Sequence, residues 1–77
     1  MTTTIAVHFA AHHNRVTDAP VLVYRGASER DARRAAARAL GRRDLRGLRQ
    51  APSDRGTIYY SAGGDDYDGE SAEISYW

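Results

Sequence analysis

Hydrophobic and polar positions alternate along residues 4–10, TIAVHFA, with Ile5, Val7 and Phe9 on one side and Ala6 and His8 on the other. A period of two is that of a strand with one face buried. Residues 14–20 carry turn chemistry, and the short apolar run VLVY at 21–24 predicts a second strand, which Arg25 and Gly26 end. The period then changes. Ala32, Ala35, Ala36, Ala39 and Leu40 recur at helical spacing and form one apolar stripe. Ser28 stands where the helix should start, its hydroxyl able to accept from the Asp31 amide while the Asp31 carboxylate reaches back. Gly41 suits the left-handed residue that ends a helix. Four of the five stripe positions are alanine, so the helix is expected to lie close on a sheet.

Residues 42–51 fit two elements: a short helix with Leu45 and Leu48 on one face, weakened by Gly47, or an irregular strand. Pro52 and Gly56 bound a turn directly afterwards, which favours the strand. Residues 57–62 and 72–77 are strands by alternation and aromatic content. The intervening GGDDYDGES, residues 63–71, makes them a long-looped hairpin. The predicted fold is α+β, a single domain over residues 1–77. One helix packs on a mostly antiparallel sheet of four to five strands, in the order β-β-α-(β)-β-β. Alternation places Ile58, Tyr60 and Ala62, and likewise Ala72, Ile74 and Tyr76, toward the core. Tyr59 and Trp77 then fall on the other face, either as aromatic anchors for a partner or covering each other across the hairpin.

Size bounds what this fold can do. With 77 residues there is one core, and a domain so small buries only about 60% of its unfolded surface. Cysteine is absent, which removes disulfides and thiolate metal sites. The first fifteen residues lack the basic and apolar regions of a secretory signal, and no run approaches a membrane span. A soluble cytoplasmic protein with no membrane partner is expected.

The formal net charge of +1 conceals a division along the chain. Residues 25–55 hold ten arginines against Glu29, Asp31, Asp44 and Asp54, a net +6. Residues 56–77 hold five acids and no base, a net −5. With the alanine stripe turned inward, Arg30, Arg34 and Arg38 form an outer row at successive i,i+4 positions, with Arg33 on its flank. Glu29 can offset Arg33, and Asp31 can offset Arg34. Arg42, Arg43, Arg46 and Arg49 extend the basic surface if the chain doubles back beside the helix. Such a surface binds phosphates or an acidic protein face, or is merely a solvated helix face in an arginine-rich chain. Every base is arginine and none is lysine, a bias that codon usage in a GC-rich genome explains first and bidentate chemistry second.

The acidic loop, with Asp65, Asp66, Tyr67, Asp68 and Glu70, is the counterpart candidate. Counted from Asp66 as a hand-type calcium loop, its sixth position is Ser71 and its twelfth Trp77, where glycine and glutamate are required, so the pattern fails. Carboxylates beside a tyrosine can instead imitate a nucleic-acid surface toward a basic groove. His8 and His12, on one strand face, would stand about 13 Å apart, too far to share an ion. No nucleophile, base and orienting group come together in the sequence. No cofactor, metal or catalytic residue is expected. The chain is therefore expected to be a small non-catalytic binding protein that occupies the surface of a protein or ribonucleoprotein complex. In size and character only, this matches phage and mobile-element inhibitors of host nucleic-acid machinery, anti-CRISPR proteins among them. Direct nucleic-acid binding through the arginine helix is the alternative, and a small nuclease using His12 or His13 a third.

Overall fold

Ile5, Val7 and Phe9 do share the sheet face that the one helix among the described residues covers. The computed structural model describes residues 3–11, 20–61 and 69–77. Its elements are β1 (Ile5–Ala10), β2 (Val21–Gly26), α1 (Glu29–Ala39), β3 (Arg49–Pro52), β4 (Gly56–Tyr60) and β5 (Ser71–Tyr76). The strands form one five-stranded sheet in the order β2-β1-β5-β4-β3, every neighbour antiparallel. The first and last strands are thus central, and α1 with the segment after it carries the chain from one edge to the other. This is the predicted α+β architecture with the ambiguous strand present. No helix among the described residues is long and apolar enough to cross a membrane.

Local chemistry sets the helix ends where the sequence places them. Ser28 is the N-cap, and its Oγ accepts from the Asp31 amide at 3.2 Å. At the other end the Gly41 amide bonds the Arg38 carbonyl at 3.0 Å and the Arg42 amide bonds the Ala37 carbonyl at 2.8 Å, with Gly41 at φ 69°. That pair of bonds around a left-handed glycine satisfies the last carbonyls and turns the chain back. A second left-handed glycine, Gly47 at φ 75°, completes the reversal, so that Leu45 and Leu48 drop into the core and β3 follows. Residues 42–51 are therefore neither helix nor strand throughout: an irregular, core-anchored stretch leads into a four-residue strand. β2 also runs further than its apolar letters, pairing through Arg25 and Gly26 with Ala6 and Ile5.

The alanine stripe faces inward, rotated from its expected centre. Ala32, Ala36, Ala37 and Leu40 are buried, while Ala35 and Ala39 are half-exposed. Leu45, Leu48 and Tyr59 pack on the Ala37 side, and burial follows that bulk. The two faces of β4 are exchanged relative to expectation. Thr57 and Tyr59 pair opposite Ile74 and Ala72, which puts Tyr59 in the core at 6% exposure. Ile58 pairs opposite Glu73 on the other face, and Tyr60 with Ser71. Tyr59 does not stand on the open side beside Trp77, and the two rings do not cover each other.

One tyrosine links the helix to the central sheet. The Tyr76 hydroxyl donates to Glu29 Oε1 at 2.9 Å, tying the end of β5 to the first helical turn. Partial burial, then the hydrogen bond and charge of Glu29, raise its phenol above the ordinary 10.0, with Arg33 pulling the other way. Because the folded value lies above the unfolded one, this contribution to stability is complete below about pH 10 and fades as pH rises through the raised value. In a spectrophotometric titration of the folded protein, one tyrosine should ionise later than freely exposed phenol, and Tyr76→Phe should remove that component. A titration curve unchanged by the substitution would refute the linkage.

Candidate functional site

The arginines that the sequence singles out occupy one continuous side of the molecule, made by α1 and the reversed segment after it. Arg30, Arg34 and Arg38 are exposed along the helix, and Arg42, Arg43 and Arg46 are exposed on the segment that Gly41 turns back. The chain does double back, and the two groups of bases meet. Between them lies a concave site of about 240 Å³ lined by Arg33, Arg34, Ala37, Arg43, Leu45 and Arg46, with Asp44 the one acid among them. One oxygen of Asp44 already accepts from the Arg46 amide at 2.9 Å, so this carboxylate works partly for the turn.

The expected internal neutralisation does not form. Glu29 is taken by the Tyr76 hydroxyl, and Arg33 donates to the Tyr59 hydroxyl at 3.2 Å with its guanidinium 6.0 Å from that ring. Position 33 lies on the flank of the helix that overlooks β4, where a phenol oxygen is nearer than a carboxylate. Arg30, Arg34, Arg38, Arg42 and Arg43 form no ion pair with any described carboxylate. Guanidinium groups held together without an ion pair to a described carboxylate raise the local potential and present planar donors that suit carboxylates and phosphates. Arg33 differs from the rest, since Tyr59 fixes its position and makes it the ordered edge of the cleft.

The other expected contacts divide. Asp65, Asp66, Tyr67 and Asp68 lie outside the described residues, as do His12 and His13. Glu70 is exposed, and its carbonyl accepts from the Ser61 amide at 3.0 Å where the hairpin closes. Trp77 is 59% exposed on the face away from the helix, yet it is held from several directions. Its amide and carbonyl exchange bonds with Thr4, its indole N–H donates to Ser75 Oγ at 3.0 Å, and the Arg55 guanidinium lies 3.9 Å from the ring centroid. A depression of about 320 Å³ beside the indole is lined by Thr4, Ala6, His8, Leu22 and Arg25. Arg55, missed as a functional candidate, had one sequence clue: it is the single base in the turn between β3 and β4.

Among the described residues, an exposed, ordered indole on one face and an arginine surface without ion pairs to described carboxylates on the other are both suited to contact. No family model, no curated protein and no solved structure matches the chain.

Proposed function

We propose that this chain is a small non-catalytic binding protein that docks its arginine surface onto an anionic face of a macromolecular partner, a protein or ribonucleoprotein complex. The observation that carries this reading is the absence of ion pairs with described carboxylates along Arg30, Arg34, Arg38, Arg42 and Arg43. A solvated helix face in a small domain ordinarily alternates its signs; here Glu29 is engaged by Tyr76 and Asp44 by the Arg46 amide. The size and the segregation of charge suit an inhibitor or accessory factor of nucleic-acid machinery, of the kind that phage and mobile elements encode.

The test is affinity purification from the native host with wild-type protein and with the triple reversal R30E/R34E/R38E. Wild type should capture one partner in stoichiometric amount, and the reversal should abolish capture while circular dichroism stays unchanged, since all three side chains are exposed. A complex that survives the reversal would exclude this surface as the contact.

The cleft at Arg33, Arg34, Arg43 and Arg46 favours a second reading, direct grip on a nucleic-acid backbone. Phosphate neutralisation releases counterions, so affinity for an oligonucleotide would fall with added salt by a log–log slope of about −0.7 to −0.9 per phosphate contacted. Salt-steep oligonucleotide binding lost in R34Q/R43Q/R46Q would establish it; absence of oligonucleotide binding at low salt removes it.

A further inference from the structure

The two edges of the sheet are unlike. β3 spans four residues, carries Arg49 and Gln50, and ends in Pro52, which has no amide to offer. Those are the usual guards of an edge against further pairing. β2, at the opposite edge, has six residues and no described strand on its outer side. Three consecutive aliphatic side chains on it stand in solvent: Val21 at 60%, Leu22 at 49% and Val23 at 41% exposure. Buried strands account for such runs; solvated edges ordinarily do not.

We infer that β2 is a self-association edge, on which a second copy of this chain packs its own β2 in antiparallel orientation about a two-fold axis. Charge supports a second copy in particular. Beside Val23 and Tyr24, a groove between β2 and α1 is lined by Asp31, Arg34, Ala35 and Arg38. A two-fold axis perpendicular to the sheet keeps both helices on the same side and runs them antiparallel, which sets Asp31 of each copy toward Arg38 of the other. The helix contacts β2, β1 and β5, with β1 the middle strand. Two such helices would lie about three strand spacings apart, on the order of 14 Å, which the long arginine side chain helps to bridge. Asp31 and Arg38 are seven residues apart on one helix, so they do not satisfy each other within the chain.

Two features limit the contact. Val23 is unopposed in the β1–β2 register, where Val7 pairs Tyr24 and His8 pairs Leu22. This bulge interrupts a continuous backbone ladder, and side-chain burial has to carry more of the association. The two copies of Arg34 fall near the axis and oppose it. The gain is greatest for a domain this small, whose own core is limited. The dimer would also set two arginine surfaces on one side of a continuous sheet, although the inference does not depend on what those surfaces bind.

Sedimentation velocity of the purified chain, from micromolar to near-millimolar concentration, reads the association directly. Wild type should dimerise, and Leu22→Asp should leave a folded monomer. D31R alone and R38D alone should each weaken the dimer roughly tenfold, since two contacts change sign. An equimolar mixture of D31R and R38D should restore it, because every facing pair is again of opposite charge. A chain that stays monomeric throughout, or a dimer indifferent to Leu22→Asp, overturns the inference. So does a mixture no more associated than its components.

Discussion

Ile74→Ala should leave this protein close to its unfolding threshold. Ile74 is 1% exposed on the central strand β5, opposite Val7 on one side and Thr57 on the other, beneath the alanines of α1. Removing its outer carbons deletes transfer energy and leaves a cavity that a sheet pinned on both sides closes poorly, a loss of about 2–5 kcal/mol. A domain of this length has roughly 4–12 kcal/mol in total. The midpoint of denaturant unfolding should therefore fall by a large fraction with little change in m-value. Ile58→Ala supplies the contrast. Ile58 is half-exposed on the opposite face, across from Glu73, and its truncation should be less than half as costly. Equal losses would mean that the faces of β4 are wrongly assigned.

Gly56→Ala should be nearly as damaging, for a steric reason. Gly56 opens β4 opposite Ser75, and a Cβ added there would run into the Ile74 carbonyl oxygen, with its carbon at 2.9 Å and the Ser75 Cα at 3.1 Å. All three obstacles are backbone of the neighbouring strand, so no side chain can swing aside. The β4–β5 pairing must open at that end, at a cost of about 3 kcal/mol, which lowers the melting temperature by roughly 12–24 °C. The same corner holds the Arg55 carbonyl on the Tyr76 amide at 2.9 Å and stacks Arg55 on Trp77. Trp77 is the chain's single tryptophan, so its fluorescence should report the opening. An unchanged melting temperature and emission spectrum would show that the strands do not approach so closely.

Both effects arise where strands meet, and this is also where sequence reasoning reached its limit. On β4, Ile58 and Tyr60 form one alternating set and Thr57 and Tyr59 the other. Each set contains a tyrosine, which packs or solvates equally well, so alternation alone leaves the inward side open. Pairing to β5 decides it, because Ala72 and Ile74 are already committed inward and their partners must follow. The same indeterminacy shifted the helix stripe. Five alanines between positions 32 and 39 give the helix an apolar arc wider than any one neighbour can cover, and Leu45, Leu48 and Tyr59 selected the side that includes Ala37.

For the site, the exposed arginine row followed directly from its spacing, but its electrical state did not. Glu29 and Arg33 are one turn apart, the separation at which opposite charges pair on an isolated helix. In the folded chain both turn instead to tyrosines more than twenty residues away. The junction of that row with Arg43 and Arg46 was likewise conditional on a chain reversal that two left-handed glycines provide.

By itself the sequence determined the local features: the Ser28 cap, the glycine that ends α1, the alternation of β1, β4 and β5 and the division of charge along the chain. These depend on groups a few residues apart, whose geometry the backbone fixes. Tertiary structure alone decided which face of β4 is buried, which alanines touch the sheet, and that the arginine row forms no ion pair with a described carboxylate. Each of those is a competition among distant groups for one neighbour, and its outcome is set only when the sheet brings the competitors together.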